Sequence, residues 1–558
     1  MINPATKRSA PDADAAVTQR PRSWRPSAAS LTWAVPAAVT AALGLYQIGV
    51  PMLWRDEFAT WSAASRSVTQ LYAMVHHIDV VFGVYYFGLH LWMGIFGDSA
   101  TAMRVPSVIA MTGTAAVVGL IGRRLGGVGA GLAGGLVFAL IPSVSGYAQQ
   151  ARPYVFAVFF ATLATLMLLR ALERPRVYRW GLYALALAAA GASHLVALCV
   201  LSGHAVVVLI ACWQRTEGTG DGSVAVRVKG ALAESETVAI LAGFCLSAIV
   251  AVGLDSPIII VGHRQSVWQI GQQPTPSLAD LAGVTGLWSQ LFQSTPAAIA
   301  VIVLAVTSVA LAPRRAGPWY SLALAVVPIL ALWVLSQGSA SYWAVRYLLF
   351  TVPAWAVSAG LGIDGIGQRV RSLPPTRFGS FLQPRYAVVA GLVLAVGLLG
   401  IHDQWAIRQY QAHDAWAYPR MVPNGQTVDY PAAAAVIAAN QRPGDGIVFQ
   451  VNDHNHYQVD SSVAYYLRGK PQPKPVFQAK TQAQAARLQP GLCARPASCL
   501  SGTPRLWVVY VNWLPQGTYR DPFAAIPADE ATVLRQAGYR IQALYKETGI
   551  TVALLVAG

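Results

Sequence analysis

The chain has 558 residues, of which 55% are hydrophobic and only 11% are charged, whereas about a quarter of the residues of an ordinary soluble protein are charged. A water-soluble protein of this composition would expose large apolar patches, so the composition excludes a soluble enzyme. The net charge is +16, but the arginines are scattered between apolar runs and are not clustered on one face, which excludes a nucleic-acid partner. The sequence therefore predicts a polytopic membrane protein.

The first part of the chain consists of a polar tail followed by a series of apolar runs. Residues 1–30 are rich in Pro, Ser and Arg, and we predict that they form a disordered cytoplasmic tail. Each apolar run is close to the roughly 20 residues that a helix needs to cross the hydrocarbon core. The runs lie near 31–50, 101–122, 127–148, 153–171, 179–195, 196–213, 237–262, 296–312, 318–336, 344–365 and 386–403. We therefore predict a domain of about eleven transmembrane helices over residues 31–403.

The arginines assign an orientation to these helices. If the tail is inside, the cytoplasmic connections contain clusters such as Arg123–Arg124 and Arg314–Arg315, and the opposite connections contain few arginines. This asymmetry is the one that the positive-inside rule describes. It holds only if the short aromatic run Val80–Gly97 lies on the outer interface and does not cross the membrane. An odd number of helices then predicts a plasma-membrane protein with a cytoplasmic N-terminus and an extracytoplasmic C-terminus.

From about residue 404 the apolar runs shorten to strand length, with helix-like stretches between them. The predicted strands are Ile447–Val451, Leu506–Val511 and Ile550–Val556, and the predicted helices include Ala432–Asn440 and Glu530–Ala537. We predict an extracytoplasmic soluble α/β domain over residues 404–558. Cys493 and Cys499 lie in this region with five residues between them, and we expect them to form a disulfide because an external compartment is oxidising.

Ionisable residues outside the spans concentrate in the first predicted outer loop, residues 51–100. Asp56 and Glu57 directly follow the first span, and adjacent carboxylates suit acid–base chemistry. His76, His77 and Asp79 come next, and these residue types are also metal ligands. A solvated loop with ordinary charges would contain the same residues, so both interpretations stay open.

Arginines mark the outer ends of several predicted spans. Arg104 opens the second span, Arg152 lies between the third and fourth, and Arg346 lies near the tenth. A guanidinium group has a fixed fork of donors that suits phosphate, so carboxylates and arginines on one side of the membrane indicate a lipid phosphate as ligand. Arginines that only anchor helix ends at the interface would occupy the same positions. His194 ends the fifth span, either as a polar kink or as a further site residue.

Taken in order, these elements resemble the GT-C superfamily of membrane glycosyltransferases. They are most similar to glycosyltransferase family 39 and its bacterial relatives, which include protein O-mannosyltransferases and lipid A aminoarabinose transferases. The matching residues are Asp56-Glu57, Asp79 before Tyr85-Tyr86, Arg104–Ser107, Ala151–Tyr154, and Arg346–Leu349 with Pro353. The position before Ala151 is often Glu in the family and is Gln150 here, a neutral amide that is neither a base nor a strong cation ligand. The resemblance spans nearly the whole chain.

The resemblance implies a GT-C fold and a transfer reaction. A sugar, most commonly mannose, would move with inversion from a polyprenyl-phosphate donor to a hydroxyl of a glycan, lipid or protein acceptor on the outer face of the membrane. The implied catalytic residues are Asp56, as the base, and Glu57. The implied phosphate-binding residues are Arg152, Arg346, Arg264 and Tyr347. The implied loop-orienting or acceptor-side residues are Asp79, Arg104, Tyr85 and Tyr86. A divalent metal ion at His76, His77 and Asp79 is left open.

The alternative function is a flippase for polyprenyl-linked sugars or another membrane transporter. A transporter predicts internal repeats and charged residues near the bilayer midplane. No repeat is evident in this sequence, and its charges lie at the predicted outer edges. A flippase binds the same lipid but needs no carboxylate base in an outer loop. A non-catalytic scaffold whose outer domain binds a partner is the third alternative.

Overall fold

A computed structural model describes residues 28–216, 235–269, 274–371, 384–412, 428–450, 458–500, 502–512 and 521–558. The expected tail over residues 1–30 lies, except for its last three residues, outside the described residues. The helices of the apolar part are α1 (Ala28–Leu45), α2 (Arg55–Ala64), α3 (Val68–His77), α4 (Gly83–Phe96), α5 (Ala100–Gly126), α6 (Val128–Leu140), α7 (Pro142–Ala148), α8 (Tyr154–Glu173), α9 (Val177–Ser193), α10 (Val200–Thr216), α11 (Ser235–Gln269), α12 (Leu278–Ala282), α13 (Ser289–Phe292), α14 (Thr295–Leu311), α15 (Ala316–Leu335), α16 (Val352–Arg371), α17 (Pro384–Leu399) and α18 (Ile401–Ala406).

Helices occupy all eleven predicted spans, although they differ in length. Within the described part of the chain, six helices are long and apolar enough to cross a membrane, or up to eight if each of two bent pairs counts as one span. One bent pair is α6 with α7, at 61°, and the other is Gly286–Phe292 with α14, at 95°. The three remaining predicted spans correspond to α1, α9 and α17, with 18, 17 and 16 residues. The chain is a multi-pass membrane protein, and length and hydropathy alone do not reproduce the count of eleven.

Helix α4 covers most of the aromatic run that we expected to lie on the membrane interface. Its 14 residues reach about 21 Å at a rise of 1.5 Å per residue, which is less than the roughly 30 Å of the hydrocarbon core. Tyr86 and Leu89 are buried against the rest of the protein, whereas Leu91 and Ile95 are exposed. Helix α17, which we assign to a span, has only 16 residues, so length does not separate the two cases and the interfacial position of α4 stays a prediction.

Glycines allow the long helices of the bundle to approach one another closely. A Cβ atom at Gly119 of α5 would collide with the backbone of Thr32 in α1. A Cβ atom at Gly360 of α16 would collide with the backbone of Gly134 in α6. Small residues are typical of such crossings because membrane helices associate mainly through close packing.

The C-terminal region forms an α/β unit around a mixed sheet. Its strands are β1 (Gly446–Phe449), β2 (Lys474–Pro475), β3 (Gln478–Lys480), β4 (Gly491–Leu492), β5 (Arg505–Val511), β6 (Tyr539–Glu547) and β7 (Ile550–Ala557). Its helices are α19 (Tyr430–Asn440), α20 (Val459–Tyr466), α21 (Pro496–Cys499) and α22 (Ala528–Gln536). The five-stranded sheet has the order β2-β1-β5-β7-β6, in which β2, β1 and β5 are parallel and β7 is antiparallel to both of its neighbours. Strands β3 and β4 form a separate antiparallel pair.

The sequence located the main elements of this region correctly. Strands β1, β5 and β7 lie on the three predicted strands, and α19 and α22 lie on the two predicted helices. Strand β5 is central in the sheet, so every residue after Arg505 is buried, which explains its continuous apolar sequence. The predicted disulfide between Cys493 and Cys499 is present.

Glu530 makes the stability of this region depend on pH. Its side chain is 4% exposed, and burial, with a smaller contribution from Asp529, raises its pKa from 4.5 to about 7. The folded state therefore holds this proton more tightly than the unfolded state, so the free energy of unfolding falls as pH rises from about 4.5 to about 7. We expect Glu530→Gln to recover roughly 2–3 kcal/mol of this loss at pH 8. The variant should then unfold at a higher temperature than the wild type.

The thermal unfolding of the full-length protein in nanodiscs at pH 5 and at pH 8 measures this effect. The variant should gain stability over the wild type at pH 8 and not at pH 5. Asp529→Asn is the matched control, because it removes only the smaller contribution and should give a smaller gain. An equal difference between wild type and Glu530→Gln at the two pH values would contradict the prediction.

Candidate active site

Asp56 and Glu57 lie in the first turn of α2 but have different surroundings. Successive side chains on a helix point about 100° apart, so neighbouring residues face different partners. The Glu57 side chain is fully buried, whereas 18% of the Asp56 side chain is exposed. Of the two carboxylates, Asp56 is therefore the one that a ligand can reach without unfolding the loop.

Glu57 forms a buried ion pair with Arg104 of α5. Arg104 donates from Nε to Oε1 at 2.9 Å and from Nη2 to Oε2 at 2.7 Å. Glu57 Oε1 also accepts a hydrogen bond from the backbone N–H of Ala151 at 2.8 Å. The other hydrogen bonds of Arg104 go to the carbonyl oxygens of Ile48, Pro51 and Met52. The pair thus ties the loop before α2, helix α2 itself and the turn before α8 into one framework.

Arg152 lies next to Ala151, and this framework holds it against α2. Its Nη2 atom is 3.5 Å from Asp56 Oδ2. Its Nη1 atom donates to the Asp56 carbonyl oxygen and to Thr60 Oγ1, at 3.1 Å in each case. The guanidinium carbon is 4.8 Å from the centre of the Phe82 ring, which is close enough for a cation–π interaction. Arg152 is therefore positioned by one face of α2 and by an aromatic ring.

The hydroxyl of Tyr154 connects Arg152 to a second arginine. It accepts hydrogen bonds from Arg152 Nη2 at 3.3 Å and from Arg346 Nε at 3.1 Å. The Tyr347 ring lies 5.9 Å from the Tyr154 ring and 4.4 Å from the His194 ring, measured between centroids. Two guanidinium groups that are far apart in sequence therefore meet at one hydroxyl. Such a pair of positive groups suits a phosphate, which accepts charge-assisted hydrogen bonds from both.

Asp79 comes later in the same loop and is buried. Its side chain accepts a hydrogen bond from the Tyr86 hydroxyl at 3.0 Å, and the residue is 8% exposed. Arg66 is buried nearby, and its burial lowers its pKa to about 10, although the neighbouring Asp79 acts in the opposite direction. The Tyr86 ring lies 6.0 Å from the Phe82 ring, and the Arg152 guanidinium carbon lies 4.8 Å from that same Phe82 ring. Asp79 is therefore connected to Arg152 through Tyr86 and Phe82.

Tyr85 packs in the same aromatic layer as Tyr86. Its ring lies 6.1 Å from the Tyr86 ring and 5.6 Å from the Phe156 ring. The side chain is 8% exposed, so it is covered by the neighbouring helices. Tyr85 thus contributes to the packing of α4 against α8, which keeps Tyr86 in place.

The structure does not bring the three expected metal ligands together. His76 and His77 are both exposed at the end of α3, and the Nδ1 atom of each is 2.8 Å from a backbone carbonyl one turn earlier. Asp79 is instead buried beside Tyr86. In the part of the chain that the structure describes, no group of three or more His, Cys, Asp or Glu side chains could hold a metal ion. The described residues therefore do not fit a metal site held by three protein ligands.

Arg264 also stays apart from the arginine pair. It is exposed on α11 and makes no hydrogen bond, ion pair or ring contact with the described residues. Gln265, the next residue, does contact the first loop, because it accepts a hydrogen bond from the backbone N–H of Val80 and donates one to the carbonyl of Val75. Helix α11 thus packs against the loop through the residue next to the expected arginine.

Tyr154 and Thr60 belong to the site although their roles were not predicted. Thr60 lies one helical turn after Asp56, so helical spacing alone places it on the same face of α2. Tyr154 follows Arg152 in a matched motif, but only the folded chain shows that its hydroxyl also reaches Arg346. His194, left open as a kink or a site residue, follows the last residue of α9, and its ring packs on Tyr347, so both interpretations stay open.

The C-terminal region covers the other side of α2. The Phe58 ring lies 5.0 Å from the Tyr430 ring and 5.8 Å from the rings of Tyr465 and Tyr466. Arg468 of the same region forms an ion pair with Asp98 at 3.3 Å. Helix α2 is therefore held between the helix bundle and the C-terminal region.

Comparison with known proteins identifies this architecture. The family model for dolichyl-phosphate-mannose-protein mannosyltransferase matches residues 83–219. The crystal structure of ArnT from Cupriavidus metallidurans bound to undecaprenyl phosphate is similar, with 13% identity, a TM-score of 0.54, and coverage of 93% of this chain and 97% of ArnT. The apo structure of the same protein gives 14% identity, a TM-score of 0.53, and coverage of 95% and 98%. No curated protein sequence matches the chain.

The oligosaccharyltransferase of Archaeoglobus fulgidus in its apo form is a further similar structure, with 10% identity, a TM-score of 0.49, and coverage of 94% of this chain and 74% of that protein. The chain has the GT-C fold of the membrane glycosyltransferases, as its sequence motifs predicted. The fold consists of a helical membrane domain and a C-terminal α/β region, and the first loop, with Asp56, lies between them.

Proposed function

We propose that this chain is a glycosyltransferase that moves a sugar from a polyprenyl-phosphate donor to an acceptor hydroxyl, with inversion. The observation that carries the proposal is the row of contacts from Asp56 to Arg152, Tyr154 and Arg346. A partly exposed carboxylate stands at one end of this row, and two arginines suited to a phosphate stand along it. The similarity to ArnT bound to undecaprenyl phosphate supports a polyprenyl phosphate as the lipid.

In the proposed reaction, the Asp56 carboxylate removes the proton of the acceptor hydroxyl as its oxygen attacks the sugar carbon that bears the phosphate. The bond from that carbon to the phosphate oxygen breaks at the same time. The departing phosphate gains negative charge, and preorganised cations at that position lower the barrier. Arg346 and Arg152 take this role, and Tyr154 keeps their guanidinium groups together.

Donor binding also prepares the base. Arg152 Nη2 lies 3.5 Å from Asp56 Oδ2, which is within ion-pair distance. The donor phosphate is a diester with one negative charge, as a carboxylate is, and its oxygens compete with Asp56 for the Nη2 atom of Arg152. Arg152 keeps its hydrogen bonds to the Asp56 carbonyl and to Thr60, so it stays in place while the carboxylate is released to the acceptor. Donor binding would therefore weaken the contact between Arg152 and the Asp56 carboxylate.

The finer parts of the proposal concern the sugar and the side of the membrane. We propose mannose as the transferred sugar, because the matching family model describes a mannosyltransferase. We propose that transfer takes place on the extracytoplasmic side. The Cys493–Cys499 disulfide supports this side, since disulfides persist in oxidising compartments. The region that carries it contacts α2, so both lie at the same end of the bundle.

The test is the release of free polyprenyl phosphate. The purified full-length protein in nanodiscs would receive polyprenyl-phosphate mannose together with cell-envelope glycans, glycolipids and proteins as acceptors. A transferase produces polyprenyl phosphate and a mannosylated acceptor, whereas a flippase or transporter leaves the donor intact. If no polyprenyl phosphate appears with mannose, arabinose or galactose donors, the proposed function is wrong.

Arg346→Ala tests the phosphate role within this assay. It removes a charge-assisted contact to the donor in the ground state and in the transition state, so we expect kcat/KM to fall roughly 10- to 100-fold. The half-saturating donor concentration should rise as well. Arg314→Ala is the matched control, because Arg314 is exposed in the turn between α14 and α15. A donor affinity equal to that of the wild type in Arg346→Ala would contradict the assignment.

A further inference from the structure

A cleft separates the first loop from the C-terminal region on the side away from Asp56. It has a volume of about 340 Å³. One wall is formed by the end of α2 and the turn after it, with Trp61, Ser62 and Ser65. The other wall is formed by α20 and by the segment of residues 472–483, which contains β2 and β3. No residue of the proposed reaction lines this cleft.

Helix geometry explains why the cleft and the reaction site are separate. Thr60 and Asp56 are four residues apart and both contact Arg152. Ser65 is nine residues from Asp56, which corresponds to a rotation of about 180° around the helix axis. Helix α2 therefore presents the carboxylate on one face and the cleft residues on the opposite face.

Hydrogen bonds join the two walls of the cleft. Gln482 accepts a hydrogen bond from Ser62 Oγ at 2.7 Å and donates one to Asp460 Oδ2 at 2.7 Å. Arg66 donates from Nη2 to the carbonyl oxygen of Arg487 at 2.6 Å. These contacts fix the distance between the walls, so the cleft is a preformed feature of the interface.

The lining is neutral overall and combines apolar with polar surface. Arg66 and Asp460 are the only charged residues among those described that line it, and they carry opposite charges. The buried lining residues include the apolar Ile447, Phe449, Val463 and Leu467, which we call the inner surface. The exposed or half-buried lining residues include the polar, uncharged Ser65, Gln70, Gln472, Gln478 and Thr481, which we call the rim. An apolar lining with a few amide and hydroxyl groups is typical of small-ligand sites.

We propose that this cleft binds a neutral oligosaccharide. Amide and hydroxyl side chains both donate and accept hydrogen bonds, as the hydroxyls of a sugar require. The indole of Trp61 and the apolar inner surface fit the C–H faces of a pyranose or furanose ring. Among the described lining residues a phosphorylated ligand would find a single cation, Arg66, whose Nε and Nη2 atoms already donate to backbone carbonyls.

A peptide fits the cleft less well. Peptides that add to a sheet need a row of backbone groups along a free edge strand. The edge strand in the cleft wall, β2, has only two residues, and one of them is Pro475, which has no backbone N–H to donate. The cleft therefore suits sugar rings that are held by side chains more than a peptide that is held through its backbone.

Calorimetry with the full-length protein in nanodiscs tests the proposal directly. The probes are mannohexaose, arabinohexaose and maltohexaose, with a ten-residue Ser/Thr-rich peptide as the alternative ligand. We expect at least one hexasaccharide to bind with a Kd in the range of about 0.1–1 mM. Binding is measured without a donor, so the result does not depend on whether the chain transfers sugar.

Two substitutions fill the cleft from opposite walls. Ala464→Trp acts from α20, and Ser65→Trp acts from the turn after α2. Each should weaken hexasaccharide binding at least about tenfold. Ala435→Trp is the matched control, since Ala435 is exposed on α19 away from the cleft, and it should bind as the wild type does. Because the two cleft variants are independent, the test remains valid if one of them does not fold.

The proposal is overturned if none of the hexasaccharides binds the wild type, or if both cleft variants bind as tightly as the wild type. It is also overturned if the peptide binds in the cleft and the hexasaccharides do not. Adding the donor to the protein with its bound hexasaccharide distinguishes an acceptor glycan from a tethering glycan. A glycan that gains a sugar, detected by mass spectrometry, is part of the acceptor, and one that stays unchanged is a tethering glycan.

Discussion

Asp56→Asn should abolish sugar transfer while the protein stays folded and still binds its donor. Asparagine keeps the size of aspartate but cannot take the proton of the acceptor hydroxyl. General-base catalysis contributes roughly 10²–10⁴-fold, so we expect a loss of this size at saturating donor. The local structure should persist, because Arg152 also bonds to the Asp56 carbonyl, to Thr60 and to Tyr154, none of which involves the carboxylate.

The measurement is the rate of polyprenyl-phosphate release, together with donor affinity and thermal unfolding of the same preparation. Asp403→Asn is a matched control, since the side chain of Asp403 on α18 is also 18% exposed and lies outside the proposed site. If Asp56→Asn transfers sugar at nearly the wild-type rate, Asp56 is not the base. The role would then pass to Asp79, or the enzyme assignment would have to be withdrawn.

Glu57→Gln should destabilise the whole protein, in contrast to the change at its neighbour. The substitution removes the charge that compensates Arg104, and both side chains are fully buried. Breaking a buried ion pair from one side costs about 3–5 kcal/mol, because the remaining charge stays in a low-dielectric interior. That is a large part of the 5–15 kcal/mol that typically separates folded from unfolded states. We therefore expect a much lower unfolding temperature and a reduced yield of folded protein.

Glu173→Gln is the control for this prediction. Glu173 is 51% exposed and is 3.5 Å from Arg124, so it forms an exposed ion pair that is worth less than about 1 kcal/mol. The unfolding temperature of both variants in nanodiscs decides the role of Glu57. A Glu57→Gln protein that is as stable as the wild type yet inactive would show that Glu57 acts in the reaction and not in the framework.

The comparison of Asp56 with Glu57 shows how far the sequence leads. The dipeptide indicated a site where acid–base chemistry could occur. It did not distinguish the two residues, because both carry a carboxylate and both lie in the same loop. The difference arises because Arg104, 47 positions away in the chain, reaches Glu57 and not Asp56. A contact over such a separation depends on how α2 packs on α5, and no local pattern encodes it.

The arginines illustrate the same limit. The sequence gives no reason to separate Arg152, Arg264 and Arg346, because each lies near the predicted outer end of a span. In the folded chain Arg152 and Arg346 meet at Tyr154, whereas Arg264 is exposed on α11. Arg152 lies in the turn before α8 and Arg346 in the segment before α16, so the packing of these connecting segments brings the two side chains together.

By itself, the sequence determined the class of protein, the positions of the helices, the main strands of the C-terminal region and the Cys493–Cys499 disulfide. These features depend on composition, on the length of apolar runs and on short spacings, which are local properties of the chain. Only the tertiary structure decided that Glu57 belongs to a buried framework, that Tyr154 joins two arginines and that a cleft opens behind α2. These features arise where segments distant in sequence pack together, and packing is a property of the whole fold.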